Sequence, residues 1–138
     1  MARGENPSFL LQIPTTLGFS GLRDFGNVNA GKHLALSLIE TGNNAGKAQL
    51  ATANSKILGV LIEVHQGGIC TYQPVGYPII MIKGSADTDI GRGVIGAGDG
   101  KVVTTPDTAT AAAATNARGT VLKNFGTANG SEILVLLN

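Results

Sequence analysis

The chain has no tryptophan and only one cysteine in 138 residues. Cys70 therefore has no partner for an intrachain disulfide, and a single thiol is too few for a thiolate metal cage. It reads as a small buried hydrophobe. Charge is also scarce, at 14% of residues against roughly 25% in an average soluble domain. Ten basic residues stand against nine acidic ones, for a net charge of +1. Nowhere do the basic residues cluster, so the footprint of a phosphate-backbone binder is missing and nucleic acid is not expected as a partner. Long apolar runs are absent too. Phe9-Leu10-Leu11 is broken by Gln12 and Pro14, too short for a secretory core and far too short to span a bilayer. The expectation is a protein made in a cytoplasm, with no membrane partner. Its surface must be finished with Gly, Ala, Thr, Asn and apolar side chains, which suits contact with other protein.

What the sequence does have is glycine, twenty of them, with brief apolar runs between: Leu34 to Leu38, Ile57 to Val64, Ile79 to Ile82 and Ile133 to Leu137. Short runs bounded by Gly and Asn turns predict strands in a mostly β domain. A chain this long has room for one core and one domain. Ile79-Ile80-Met81-Ile82 lacks alternation, which predicts a strand covered on both faces near the middle of a sheet. One short helix is expected at most, over 107–117, where Pro106 can start it and the Ala111 to Ala114 run favours it.

The chain repeats itself. Asn29-Ala30-Gly31-Lys32, Gly46-Lys47, Ile57-Leu58-Gly59-Val60-Leu61 and Gly67-Gly68-Ile69 are followed in the same order by Asp89-Ile90-Gly91-Arg92, Gly100-Lys101, Gly119-Thr120-Val121-Leu122 and Gly130-Ser131-Glu132-Ile133. Two pseudo-repeats, about 29–84 and 89–138, predict one closed or sandwiched β-domain over 27–138, since half of it could hardly bury its own apolar face. Residues 1–26 fit neither repeat. Phe9, Leu10, Leu11, Ile13, Leu17, Phe19, Leu22 and Phe25 lie there, while Pro7, Pro14, Gly18 and Gly21 interrupt any helical period. The segment reads as an extended apolar arm with those eight side chains binding a partner; the alternative is that it folds back over its own barrel.

Residues that could carry chemistry do not assemble into a pattern. Gly91-Arg92-Gly93-Val94-Ile95-Gly96 matches a dinucleotide fingerprint in spacing, but Ala97-Gly98-Asp99-Gly100 cannot open the required helix and no carboxylate follows at the required distance. His33 and His65 lack a zinc spacing, and Asp87-Thr88-Asp89 lacks the later oxygen ligands of a calcium loop. Ser37, His65, Cys70 and Asp87 show no local signature of nucleophilic catalysis. No catalytic residue, cofactor or metal is expected.

The doubled order of Gly-led strands resembles the small decoration, or cement, proteins of tailed-phage capsids. The carriers are Ala30-Gly31-Lys32, Gly46-Lys47, Ile57 to Leu61 and Gly76 to Gly84, then Ile90-Gly91, Asp99-Gly100-Lys101, Gly119 to Leu122 and Glu132 to Leu137. The likeness covers about 27–138. Thr120 departs from it where the first repeat has Val60, and the stretch before Gly119 is longer and alanine-rich. The resemblance implies a small β-barrel or β-sandwich, with a β-tulip as one form. It also implies a homotrimer on the outside of a virion capsid, assembled in the host cytoplasm, that clamps neighbouring major capsid proteins. Two readings stand beside it: a small β-barrel domain that binds a ligand or acts as an enzyme, and another virion component such as a tail or fibre module.

Overall fold

The computed structural model describes residues 18–85, 90–105 and 111–138. Within them the chain is mostly β, with ten strands. The first five are β1 (Phe19–Leu22), β2 (Ala35–Leu38), β3 (Ala48–Leu50), β4 (Ile57–His65) and β5 (Ile69–Gln73). The second five are β6 (Gly76–Ile82), β7 (Val94–Gly98), β8 (Lys101–Thr104), β9 (Thr120–Asn124) and β10 (Glu132–Leu137). One short helix, α1 (Ala111–Asn116), precedes β9. It is the described part of the predicted helical stretch; residues 106–110 lie outside the described residues, as do Asp87 and Asp89.

Turn chemistry sets the strand lengths. Asp99 and Gly100 both have positive φ, at 53° and 78°, the tight hairpin turn whose twist matches its strands. That same turn rules out a helix after Gly96, and the glycine-spaced motif runs into strand β7.

The sheets are antiparallel, with orders β1-β5-β4-β2-β3, β6-β10-β9 and β7-β8. Their pairings occur twice. β1 pairs with β5 as β6 pairs with β10, β2 with β3 as β7 with β8, and β4 with β5 as β9 with β10. The Leu61 amide donates to Leu34, and the Val121 amide to Arg92. After β1, Arg23 bridges Ala48; after β6, Lys83 bridges Val102. Strand pairing thus divides the chain into 19–73 and 76–137, earlier than the predicted limits of 29–84 and 89–138. β6 opens the second unit, and β1, expected in the arm, opens the first. Phe19-Ser20-Gly21-Leu22 and Ile79-Ile80-Met81-Ile82 share no residue, so only their pairing relates them.

Two glycines show why the repeat survives in sequence. A Cβ on Gly59 would overlap the Gln73 carbonyl of β5, and one on Gly119 would overlap the Leu136 carbonyl of β10. Both sit at the same close crossing of neighbouring strands, where backbone must touch backbone.

Among the described residues no sheet closes into a barrel. The strand that would close each unit makes one bridge, at Arg23 or Lys83, and pairs no further. β6 is also an edge strand rather than a central one. Ile79 and Met81 are buried while Ile80 and Ile82 are half-buried, because β10 takes the middle of the three-stranded sheet. The main core joins Ala35, Ala51, Ile57 and Val60 to Met81, Val94, Val102, Val121, Ile133 and Val135. A smaller core lies within the first unit, where Leu36, Ala48, Leu61 and Cys70 are covered by Phe25, Val28 and Tyr72. Main-chain bonds sew the units together: Ala35 to Gly100, Gly100 to Ala51, Gly96 to Ser55 and Asn54 to Gly96, at 2.8, 3.2, 2.9 and 2.8 Å.

Candidate functional site: the free edge of the five-stranded sheet

β1 ends the five-stranded sheet, and among the described residues its one further bridge lies just after it, at Arg23, to Ala48 of β3. The register places Leu22, Ile69 and His65 in one row across β1, β5 and β4, and Ser20, Thr71 and Glu63 in the next. Phe19 stands in the row of Tyr72 and Leu61, on the opposite face. Phe19 is 48% and Leu22 55% exposed, with Ile62 and Ile69 exposed beside them. A strand edge with free main-chain groups and exposed large apolar side chains is a template for pairing with another chain.

Of the eight predicted arm residues, Phe9, Leu10, Leu11, Ile13 and Leu17 lie outside the described residues. Phe19 and Leu22 belong to β1, and Phe25 packs over the smaller core of its own unit. Arg23 fixes this placement. Its guanidinium donates to the carbonyls of Phe25, of His65 at 2.9 Å and of Ile69 at 3.1 Å, and it lies over the Phe25 ring. The sequence reading missed Ile62 and Ile69 as neighbours of this edge. The signal for Ile62 was the unbroken Val60-Leu61-Ile62 run; a shift in register between Leu61 and Glu63 turns it outward.

Polar groups cross the same face. His65 Nε2 lies 2.8 Å from Thr71 Oγ1, which lies 3.2 Å from Ser20 Oγ. The Glu63 carboxylate is 4.0 Å from that same His65 nitrogen. Base, hydroxyl and carboxylate thus meet at one ring nitrogen, whereas a catalytic relay uses both nitrogens in series. The other histidine, His33, faces Glu132 at 3.5 Å from across the units.

A groove of about 370 Å³ lies elsewhere, lined by Ser37, Glu40, Lys56, Leu58 and Arg118 among others. Arg118 spends its guanidinium on main-chain carbonyls of Ile57, Leu58, Pro74 and Asn138, and burial draws its pKa down. This cation is a structural clamp. Burial also pushes the Cys70 thiol above its ordinary range, more than nearby Arg23 draws it down. Among the described residues no group of three or more His, Cys, Asp or Glu side chains could hold a metal ion, and no helix is long and apolar enough to cross a membrane.

No protein-family model matches the chain, and no curated protein matches it.

Proposed function

We infer that this protein is a structural component that works by burying surface against other protein rather than by catalysis, and that it decorates the outside of a tailed-phage capsid. The observation that carries the first part is the free edge of β1, with Phe19, Leu22, Ile62 and Ile69 exposed around it. The low charge of the chain supports the same reading, because such a surface loses little hydration on contact with another protein. The likeness of the doubled strand pattern to cement proteins supplies the second part. In this reading the partners are the major capsid protein and other copies of the chain as a homotrimer, with the segment before β1 and the β1 edge at the contacts.

The mechanism is multivalent. A contact that is weak for one copy becomes strong when several copies are joined and seated on a repeating lattice. Co-sedimentation of the purified full chain with capsids of the phage that carries its gene tests this. Saturable binding at a fixed ratio to the major capsid protein, with capsids made more resistant to heat, is expected. Absence of binding to intact capsids would overturn the decoration role.

A further inference from the structure

We propose that the β-bulges at Ile62 and Leu122 are the two halves of one contact between copies of this chain: Ile62 and Glu63 of one copy meet Leu122 and Lys123 of the next. The inference rests on the self-association in the reading above and names the surface that makes it.

In β4 the register steps from the Leu61–Tyr72 pair to the Glu63–Thr71 pair, which leaves Ile62 without a partner across the ladder. In β9 it steps from the Val121–Val135 pair to the Lys123–Leu134 pair, which leaves Leu122 in the same position. Each residue stands three places past its crossing glycine, Gly59 or Gly119. The two units therefore carry the same bulge. An extra residue disrupts a ladder locally and re-aims a side chain, so a bulge held at corresponding places of two units with different sequences is a feature of the fold and not a defect. What it turns out is alike in both. Ile62 is 39% and Leu122 38% exposed. The next residue in each strand is exposed as well but differs in sign, Glu63 in the first unit and Lys123 in the second.

Opposite charge at matching places decides the occupant. In a chain with only nine acidic and ten basic residues, each bulge sets one charge beside one aliphatic side chain, and the two pairs complement each other, apolar against apolar and carboxylate against ammonium. Within one copy they do not meet. The bulges belong to different sheets; Glu63 comes to 4.0 Å of His65, and Lys123 lies over the Phe125 ring at 5.2 Å. Two bulges of one kind make a poor contact, because Glu63 would face Glu63, or Lys123 face Lys123. A second copy carries the half that each bulge lacks. Apolar neighbours widen both halves: exposed Leu22 and Ile69 share a face with Glu63, and Phe125, 49% exposed, lies beneath Lys123. Because the contact joins unlike patches, it runs head to tail, and three copies can close it as a ring.

The full chain, Glu63→Lys, Lys123→Glu and the double reversal are compared by size-exclusion chromatography with light scattering over a concentration series, with folding of each checked by circular dichroism. Each single reversal sets like charges face to face and should weaken self-association by about tenfold or more. The double reversal puts opposite charges back across the contact and should recover most of that loss. A natural chain that stays monomeric throughout overturns the proposal. So do single reversals that self-associate as the natural chain does, or a double reversal no better than the singles. Single reversals that self-associate normally but no longer co-sediment with capsids would mean that the bulges face the shell, which also overturns it. Self-association is read in free protein, so this contact can fail while capsid binding stands, and the reverse.

Discussion

The two units of this protein follow one plan and fill it differently. At one corresponding place the first unit pairs Gly21 with Cys70, and the second pairs Met81 with Ile133. Small residues leave room in the first unit, and Phe25 and Val28, from the chain just after β1, help to close its small core. The second unit fills its interior from its own strands and shares the main core with its neighbour. One strand plan thus yields a second unit filled and closed by its own strands and a first unit whose edge strand β1 leaves Phe19 and Leu22 exposed.

The sharpest way to break the comparison is to charge its equivalent centres. Leu61 and Val121 hold matching places and are both buried, so Leu61→Asp and Val121→Asp should each cost about 3–5 kcal/mol for an unpaired buried charge. Val121→Asp should be the worse, because its core spans both units; chemical denaturation would measure it, and equal costs would mean the two cores matter equally. Next come the glycines at the crossings. Gly59→Ala should lose about 1–3 kcal/mol through overpacking. Gly119→Ala should lose about 1–2 kcal/mol more, since its φ is +71° and Gly59 has no such conformation. Thermal melting would order the pair.

Arg23 and Lys83 give a smaller contrast. Each follows the first strand of its unit and caps the turn of the matching hairpin, Lys83 donating to Gly126 and, at 3.1 Å, to Asn124 Oδ1. Lys83 is fully buried, so Lys83→Met should cost about 1–3 kcal/mol for the acceptors left unpaired. Arg23→Met, whose acceptors are partly reached by water, should cost about 1 kcal/mol or less in the same denaturation series.

The smallest effect is on pH. Burial raises the Cys70 pKa above its ordinary 9.0, so the folded state holds the proton more tightly than the unfolded chain. The stability this gives is fully present below pH 9 and is lost as pH rises from there toward the folded value. Stability should therefore fall somewhat more steeply above pH 9 in the natural chain than in Cys70→Ala, where no thiol titrates. Parallel slopes in the two would show that the thiol has ordinary surroundings.

The sequence made the β class legible because it rests on residues that backbone geometry demands. Gly59 and Gly119 are required by a close crossing, and Asp99-Gly100 by a tight turn. The unit boundaries were not legible, since β1 and β6 share a place but no residue. β1 looked like irregular arm because Ser20 and Gly21 stand where its counterpart has Ile80 and Met81. The openness of the sheets was hidden as well: whether a strand makes one bridge or a full ladder depends on where the chain turns after Arg23 and Lys83, and no single residue type signals that. At the candidate edge, Phe19 and Leu22 stood out as apolar residues, whereas their place beside Ile69 comes from strand register, which composition does not carry.

Besides the shared core, the seam between the units is stitched by amides and carbonyls at Ala35, Ala51, Asn54, Ser55, Gly96 and Gly100. Such stitches are indifferent to most side chains, because every residue except proline carries both groups. Drift at these stitches is therefore cheap at most positions; the exceptions are Gly96, where a Cβ would strike the Thr52 carbonyl, and Gly100, whose φ is +78°. Side chains around these stitches can therefore differ between the units while the main-chain joint stays the same.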